Sequence, residues 1–366
     1  MRKVIFTLSC CILVLFLGEL ILRQLLFRYV SYSNSESIDR QLLERNSKAD
    51  WNLLFIGDSE TRWGINPEEI DSTFSNYGVK GRSFNHAFDG FGASWWPRLL
   101  PSLLEQPALK NVKVVALGVQ LIDLHRVILE SGEDCGALQK PVLTSPFAKD
   151  LGVDSLCRSQ SWDAELGKKL FGAVWVVRYS SAVRSLILPQ FMKGQWQLRF
   201  NSRKDGGPIR GFEPHRSIAQ DRDTYAQEFT RWKAQYQPGR DFVPLQKSAW
   251  LELTSSSGFF DQLNEIVRSR GRQLVLFAVP TNPAVIDTFN RRDDYIRNSR
   301  LLQEWAAKRG VTFVDAGIQD VANPDDYFSD MRHLSGAGAR QYSQKLGQLF
   351  VNRGILKTHT SELQQN

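Results

Sequence analysis

Short apolar runs alternate with amphipathic segments along most of this chain, and this alternation limits the possible fold more than any other feature. A continuous apolar run is typical of a strand buried on both faces. Strands that alternate with helices favour a parallel sheet covered by helices. We therefore predict an α/β fold of three layers, α/β/α, with a mostly parallel sheet. The predicted strands are Trp51–Ile56, Ser83–Asn85, Val112–Gly118, Gln273–Val279 and Thr312–Asp315, and the predicted helices lie near Trp96–Glu105, Phe259–Arg270, Asp294–Arg309 and Gly338–Val351.

The segment from about 130 to 250 breaks this alternation. It is rich in Gly, Pro, Arg and aromatic residues and contains the run Gly206-Gly207-Pro208. Such a composition favours turns and loops over repeated strand–helix units. We predict one main domain at 51–355, with an insertion at about 130–250 that forms a lid or a substrate surface, and a tail at 356–366.

The N-terminus predicts a membrane anchor. Arg2 and Lys3 precede an almost wholly apolar run from Val4 to Leu17, which continues past Glu19 to Leu22. The run up to Leu17 has the length of a signal-peptide core, but its extension through Leu22 is long enough to span a bilayer. No small-x-small cleavage pattern follows, so we prefer an uncleaved transmembrane helix within 1–30, with 31–50 as a linker. The basic residues before the run favour a cytoplasmic N-terminus, which makes the chain single-pass with its main domain outside the cytoplasm.

Charge and cysteine usage exclude some classes of function. The net charge is +7, but the basic residues are spread too thinly for nucleic-acid binding, which needs a clustered basic face. Cys135 and Cys157 are either a disulfide of an exported segment or two unpaired thiols, and the sequence leaves both open. No spacing of Cys, His or Asp matches a zinc site or a calcium loop, so we predict no metal and no cofactor.

Two short motifs at opposite ends of the main domain predict chemistry. The first strand stops at Gly57-Asp58-Ser59 and opens into a helix, and Asp330-Met331-Arg332-His333 lies far downstream. Either motif alone is a common turn or cap, but their combination suits acyl transfer. A serine hydroxyl needs a base to take its proton and dipoles to stabilise the oxyanion. We predict Ser59 as the nucleophile, His333 as the base and Asp330 as the group that orients the imidazole.

These motifs resemble the first and last blocks of the SGNH (GDSL-like) hydrolase family. The resemblance runs from about Trp51 to Leu346, with the 130–250 segment outside it. It implies an oxyanion hole built from Ser59, from Gly90 in a second block and from Gln120 in the third. The family carries an asparagine at the third position, so Gln120 would be a longer amide donor.

The predicted anchor makes the chain similar to membrane-anchored members of this superfamily that modify cell-envelope polymers. They include the D-alanyl transfer protein of teichoic acid modification and the alginate-type O-acetyltransferases. The resemblance implies a serine-dependent acyl esterase or O-acyltransferase that works through an acyl-Ser59 intermediate. Its expected partners are an acylated cell-envelope or extracellular glycan or acyl donor, the membrane, and a membrane-bound acyltransferase. Trp63 and Trp95 either line the site or pack in the core.

A second prediction belongs to another class of function. The chain could be a catalytically degenerate assembly factor, or a glycan-binding factor for a membrane acyltransferase system. Gln120 and the large insertion favour this alternative.

Overall fold

The structure is a computed structural model that describes residues 17–18, 41–42, 44–46, 48, 50–88, 93–125, 210, 212, 222–235, 244–317 and 327–356. The chain divides into two compact units. The first takes in Met1–Leu43 and Leu138–Pro208, and nearly all of it lies outside the described residues. The second takes in Glu44–Ala137 and Ile209–Asn366, and it is the unit described below.

Five strands of this unit form one parallel sheet. They are β1 (Leu53–Ile56), β2 (Ser83–Asn85), β3 (Val114–Val119), β4 (Gln273–Ala278) and β5 (Thr312–Val314). They lie in the order β2-β1-β3-β4-β5, and every neighbouring pair is parallel. β1 therefore lies between β2 and β3, where the path of the chain across the sheet reverses. Open α/β sheets place their ligands in the crevice at such a point, beyond the carboxyl ends of the strands.

The helices pack in two groups. Those of the described residues are α1 (Ser59–Gly64), α2 (Pro67–Asn76), α3 (Trp96–Leu103), α4 (Arg222–Gln235), α5 (Lys247–Thr254), α6 (Phe259–Arg268), α7 (Pro283–Thr288), α8 (Arg292–Arg309) and α9 (Gly336–Asn352). α9 packs against α1 and α2, whereas α6 packs against α3, α5 and β4.

The core is built on the central strands. β1 and β3 are buried at every position, and β4 is buried at all positions but Gln273. Such burial explains why these strands are apolar throughout and do not alternate with polar residues. The ring of Phe55 in β1 lies 5.7 Å from that of Phe277 in β4 and 6.0 Å from that of Phe350 in α9. These contacts fix α9 to the middle of the sheet.

The five predicted strands and the four predicted helices are present, with ends that differ by a few residues. A parallel sheet flanked by helices confirms the α/β prediction. Helix α2 was not predicted from the sequence, although its start carries two recognised signals of a helix N-terminus. The side chain of Asn66 accepts a hydrogen bond from the N–H of Glu68 at 3.0 Å, and Pro67 occupies the first helical position.

Several predictions fall outside the described residues. These are the anchor at 1–30 apart from 17–18, most of the linker at 31–50, Cys135 and Cys157, most of the insertion at about 130–250, and the tail beyond 356. Within the described part of the chain, no helix is both long and apolar enough to cross a membrane.

We expect Gly118→Ala to destabilise the protein because α1 lies directly on β3 at this point. A Cβ atom at position 118 would lie 2.0 Å from Thr61 Oγ1 and 2.8 Å from Val279 Cγ1. Such overpacking lowers the free energy of unfolding by about 1–3 kcal/mol, which urea denaturation would measure.

Gly64→Ala is the matched control. A Cβ atom there would meet Leu334 Cδ1 at 3.8 Å, an ordinary van der Waals contact, so this change causes no overpacking and should lower the free energy of unfolding far less than Gly118→Ala does. Equal losses in the two variants would show that the space at Gly118 is not what matters.

Candidate active site

The turn between β1 and α1 places Ser59 at the edge of the sheet. Gly57 has a φ of 153°, which L side chains rarely adopt, and a Cβ atom there would lie 2.2 Å from Thr61 Oγ1. Asp58 is the N-cap of α1, and its carboxylate accepts from the N–H of Thr61 at 3.4 Å. Ser59 is thus the first residue of the helix, where a backbone N–H has no acceptor within the helix.

A closed loop before α9 carries Asp330 and His333. Phe328 and Leu334 form an antiparallel bridge at its base. Across the loop, Ser329 donates to the carbonyl of His333 from its N–H at 2.8 Å and from its hydroxyl at 3.1 Å. These bonds fix the backbone from which the imidazole projects.

The structure brings the three predicted catalytic side chains together. Nε2 of His333 lies 2.9 Å from Oγ of Ser59, and Nδ1 of His333 lies 2.7 Å from Oδ2 of Asp330. An ionised carboxylate can only accept, so Nδ1 carries the ring proton and Nε2 accepts the proton of the serine hydroxyl. This arrangement has the geometry of a nucleophile, a base and an orienting acid.

The surroundings of Asp330 keep it ionised. Burial raises the pKa of Asp330, but the hydrogen bond from the His333 ring, the charge of that ring and the N–H groups of Arg332 and His333 outweigh burial and lower the pKa to about 2. The two N–H groups each lie 2.7 Å from Oδ1. The carboxylate therefore stays charged at neutral pH, where it holds the ring proton on Nδ1 of His333.

Glu60 is a second carboxylate beside Ser59, and it was not predicted from the sequence. Its side chain is buried, and its Oε2 lies 3.2 Å from Oγ of Ser59. Burial raises the pKa of Glu60, but the charges of Arg332 and His333 outweigh burial and hold the pKa below its ordinary value. Because the serine hydroxyl has one proton, Glu60 and His333 compete to accept it, with His333 at the shorter distance.

Arg332 was also missed, although it lies inside the downstream motif. Its guanidinium lies 3.4 Å from Oε1 of Glu60 and 3.4 Å from Oδ2 of Asp123. Both carboxylates are buried at the carboxyl edge of the sheet. Within the described residues, no group of three His, Cys, Asp or Glu side chains is placed to hold a metal ion.

Of the two residues predicted to complete the oxyanion hole beside Ser59, the structure describes only Gln120. Gln120 follows β3 directly, as predicted, and its Oε1 accepts from Nη1 of Arg332 at 3.3 Å. Gly90 lies outside the described residues.

Of the two tryptophans considered for the site, Trp63 lies there. Its ring is 4.5 Å from that of His333, with the planes inclined at 64°. Trp95 is buried, with the guanidinium of Arg98 5.2 Å above its ring, and it packs in the core.

Comparisons with known proteins do not establish the chemistry of this site. No family model matches the sequence, and a search of curated proteins found no match. Among solved structures, the crystal structure of the lipase/acylhydrolase from Enterococcus faecalis matches with a TM-score of 0.34 and 11% identity, over 84% of this chain and 98% of that chain. A match of this degree carries no argument about what the present chain does.

The low pKa of Asp330 predicts how its contribution to stability depends on pH. An unfolded aspartate has a pKa of about 3.9, and the folded value is about 2. The ionised group therefore stabilises the folded state above about pH 4, by at most about 3 kcal/mol, and this contribution is lost as the pH falls towards 2. We expect Asp330→Asn to be less stable than the parent at pH 6, with the difference shrinking by pH 2.5, as measured by chemical denaturation.

Glu304→Gln serves as the control for removal of a carboxylate, because Glu304 is exposed in the middle of α8. Its difference from the parent should change little over the same pH range. A difference in the free energy of unfolding between the parent and Asp330→Asn that stays constant or grows on acidification would contradict the role given to the ionised carboxylate.

Proposed function

We propose that this protein is an enzyme that cleaves acyl esters through Ser59. The single observation that carries the proposal is the continuous chain of hydrogen bonds from Ser59 through His333 to Asp330, at 2.9 and 2.7 Å. The three residues come from two distant parts of the sequence, and the nucleophile lies at the carboxyl edge of a parallel sheet, where open α/β folds bind ligands.

Attack on the ester begins at the serine hydroxyl. Oγ of Ser59 bonds to the acyl carbon while its proton passes to Nε2 of His333. Asp330 holds the proton on Nδ1 and stabilises the imidazolium that results. The carbonyl oxygen becomes an oxyanion, for which the N–H of Ser59 at the start of α1 is one available donor.

The intermediate then breaks down in two stages. The leaving alcohol departs with the proton from Nε2, and the acyl group remains on Ser59 as an ester. A second hydroxyl, from water or from a sugar, attacks this ester and passes its own proton to Nε2. The bond between the acyl carbon and Oγ then breaks, and Nε2 returns the proton to Oγ, which restores the serine. Water gives hydrolysis and a sugar gives O-acyl transfer, so both reactions use the same residues.

We extend the proposal to an acylated glycan outside the cytoplasm. The apolar N-terminal run and the resemblance to anchored envelope enzymes support the location and the substrate class. Trp63 adds an aromatic surface beside His333, and binding sites for organic ligands are commonly lined by such rings.

Ser59→Ala should abolish turnover, because it removes the atom that carries the acyl group. We expect the full-length chain to release acetate from an activated acetyl ester and to be labelled by a fluorophosphonate probe at Ser59. The variant should lose the label and at least about a thousandfold in kcat, in line with the loss of a catalytic serine.

Ser75→Ala is the matched control, since Ser75 is exposed on α2 and its hydroxyl bonds only to the carbonyl of Asp71 within the described residues. It should keep both the label and the rate. Acetate release by Ser59→Ala at the parental rate would refute the proposal. A parent that binds glycan but neither turns over nor takes the label would favour the non-catalytic binding factor.

A further inference from the structure

Arg332 connects three parts of the candidate site. It lies between Asp330 and His333 in sequence, and its guanidinium reaches Glu60 on α1, Gln120 at the end of β3, and Asp123 in the turn that follows. The four distances to these side chains range from 3.3 to 3.5 Å. Arg332 thus contacts both α1 and the end of β3, the two elements that border the crevice.

Two buried carboxylates hold the guanidinium in place. The side chains of Glu60 and Asp123 are 4% and 5% exposed, whereas that of Arg332 is 19% exposed. Buried carboxylates need a partner of opposite charge, and the planar fork of arginine suits two acceptors at once. The position of Arg332 is therefore set by both carboxylates and not by either one alone.

The same guanidinium determines which way the amide of Gln120 faces. A primary amide has one accepting end and one donating end, and arginine has donors only. The carbonyl oxygen of Gln120 must therefore face Arg332, and the NH2 group faces elsewhere. Within the described residues the side chain of Gln120 has no other hydrogen-bond partner, so this NH2 group is available to a substrate.

We propose that Arg332 is a positioning residue for acyl transfer, which orients Gln120 so that its NH2 group meets the oxygen of the acyl group at Ser59. The inference rests on the proposed function. It keeps for Gln120 the role of oxyanion donor that the family resemblance implies, and it adds for Arg332 the role of fixing that donor before the substrate arrives. A donor that is already oriented stabilises the developing charge without reorganisation during the reaction.

A double-mutant cycle with Arg332→Met and Gln120→Met tests this inference. Loss of one oxyanion donor lowers kcat by about a hundredfold or more, so each single variant should lose about that much on p-nitrophenyl acetate, with little change in KM. If Arg332 acts through Gln120, the double variant should also lose about a hundredfold, because the second change has nothing left to remove.

Two further variants separate positioning from folding. Arg332→Lys keeps the positive charge between the carboxylates but loses the planar fork, so it should keep the melting temperature of the parent and lose about tenfold in kcat. If Arg332→Met does not fold, the comparison of Arg332→Lys with the parent still tests the positioning role. Arg292→Met removes an exposed arginine paired with Asp287 on the surface, and it should leave kcat unchanged.

The outcomes distinguish this inference from the proposed function. If the parent turns over and is labelled at Ser59, but Arg332→Met and Arg332→Lys keep kcat within about twofold, the positioning role is refuted and the esterase stands. A double variant whose loss is the product of the two single losses also refutes the positioning role, because the residues then act independently. A parent with neither turnover nor label overturns both proposals.

Discussion

The close approach of α1 to the central strands is the constraint on which the rest of the site depends. Thr61 packs into the space above Gly57 and Gly118, at distances that leave no room for a Cβ atom at either glycine. Because α1 packs so closely against β1 and β3, its first residue, Ser59, lies at the carboxyl edge of the sheet. Ser59 is therefore placed in the crevice by backbone packing and does not depend on a mobile loop.

Packing of α9 brings the other part of the site, Asp330 and His333, close to Ser59. Ser343 of this helix accepts from the N–H of Asn66 at 2.8 Å and lies 3.4 Å from the carbonyl of Gly64. These bonds join α9 to the junction of α1 and α2. The loop that carries His333 directly precedes α9, so docking of α9 also places the imidazole. A contact between residues 274 positions apart in sequence is thus a consequence of how two helices pack.

The sequence predicted those parts of the molecule that depend on local patterns. Apolar runs such as Val112–Gly118 indicated buried strands, and the residue types around Ser59 and His333 indicated a nucleophile and its base. The role of Gly118 was not predicted, because the need for glycine comes from Thr61 on another element. Glu60 and Arg332 were passed over for the same reason. In the sequence, Glu60 and Arg332 are ordinary charged residues 272 positions apart. Only the fold brings their side chains to within 3.4 Å of each other.

The candidate site contains several buried ionisable groups. Among the described residues, the carboxylates of Glu60, Asp123 and Asp330 lie around the side chains of Arg332 and His333. Buried carboxylates destabilise the folded state where the ion pairs do not fully compensate their desolvation. In the proposed reaction, the same carboxylates stabilise the positive charge that the imidazole of His333 gains when it takes the serine proton.

In the proposed reaction, negative charge near Ser59 also has a cost, since the acyl oxygen becomes an anion. That oxygen therefore has to be stabilised by donors that carry no net charge, such as the N–H of Ser59 and an amide group. Arg332 can both compensate buried negative charge and orient an uncharged donor. Its contacts with Glu60 and Asp123 compensate part of the buried charge, and its contact with Gln120 turns the donating end of a neutral amide away from itself. A glutamine is suited to this arrangement because its longer side chain offers one end to the guanidinium and the other to the substrate.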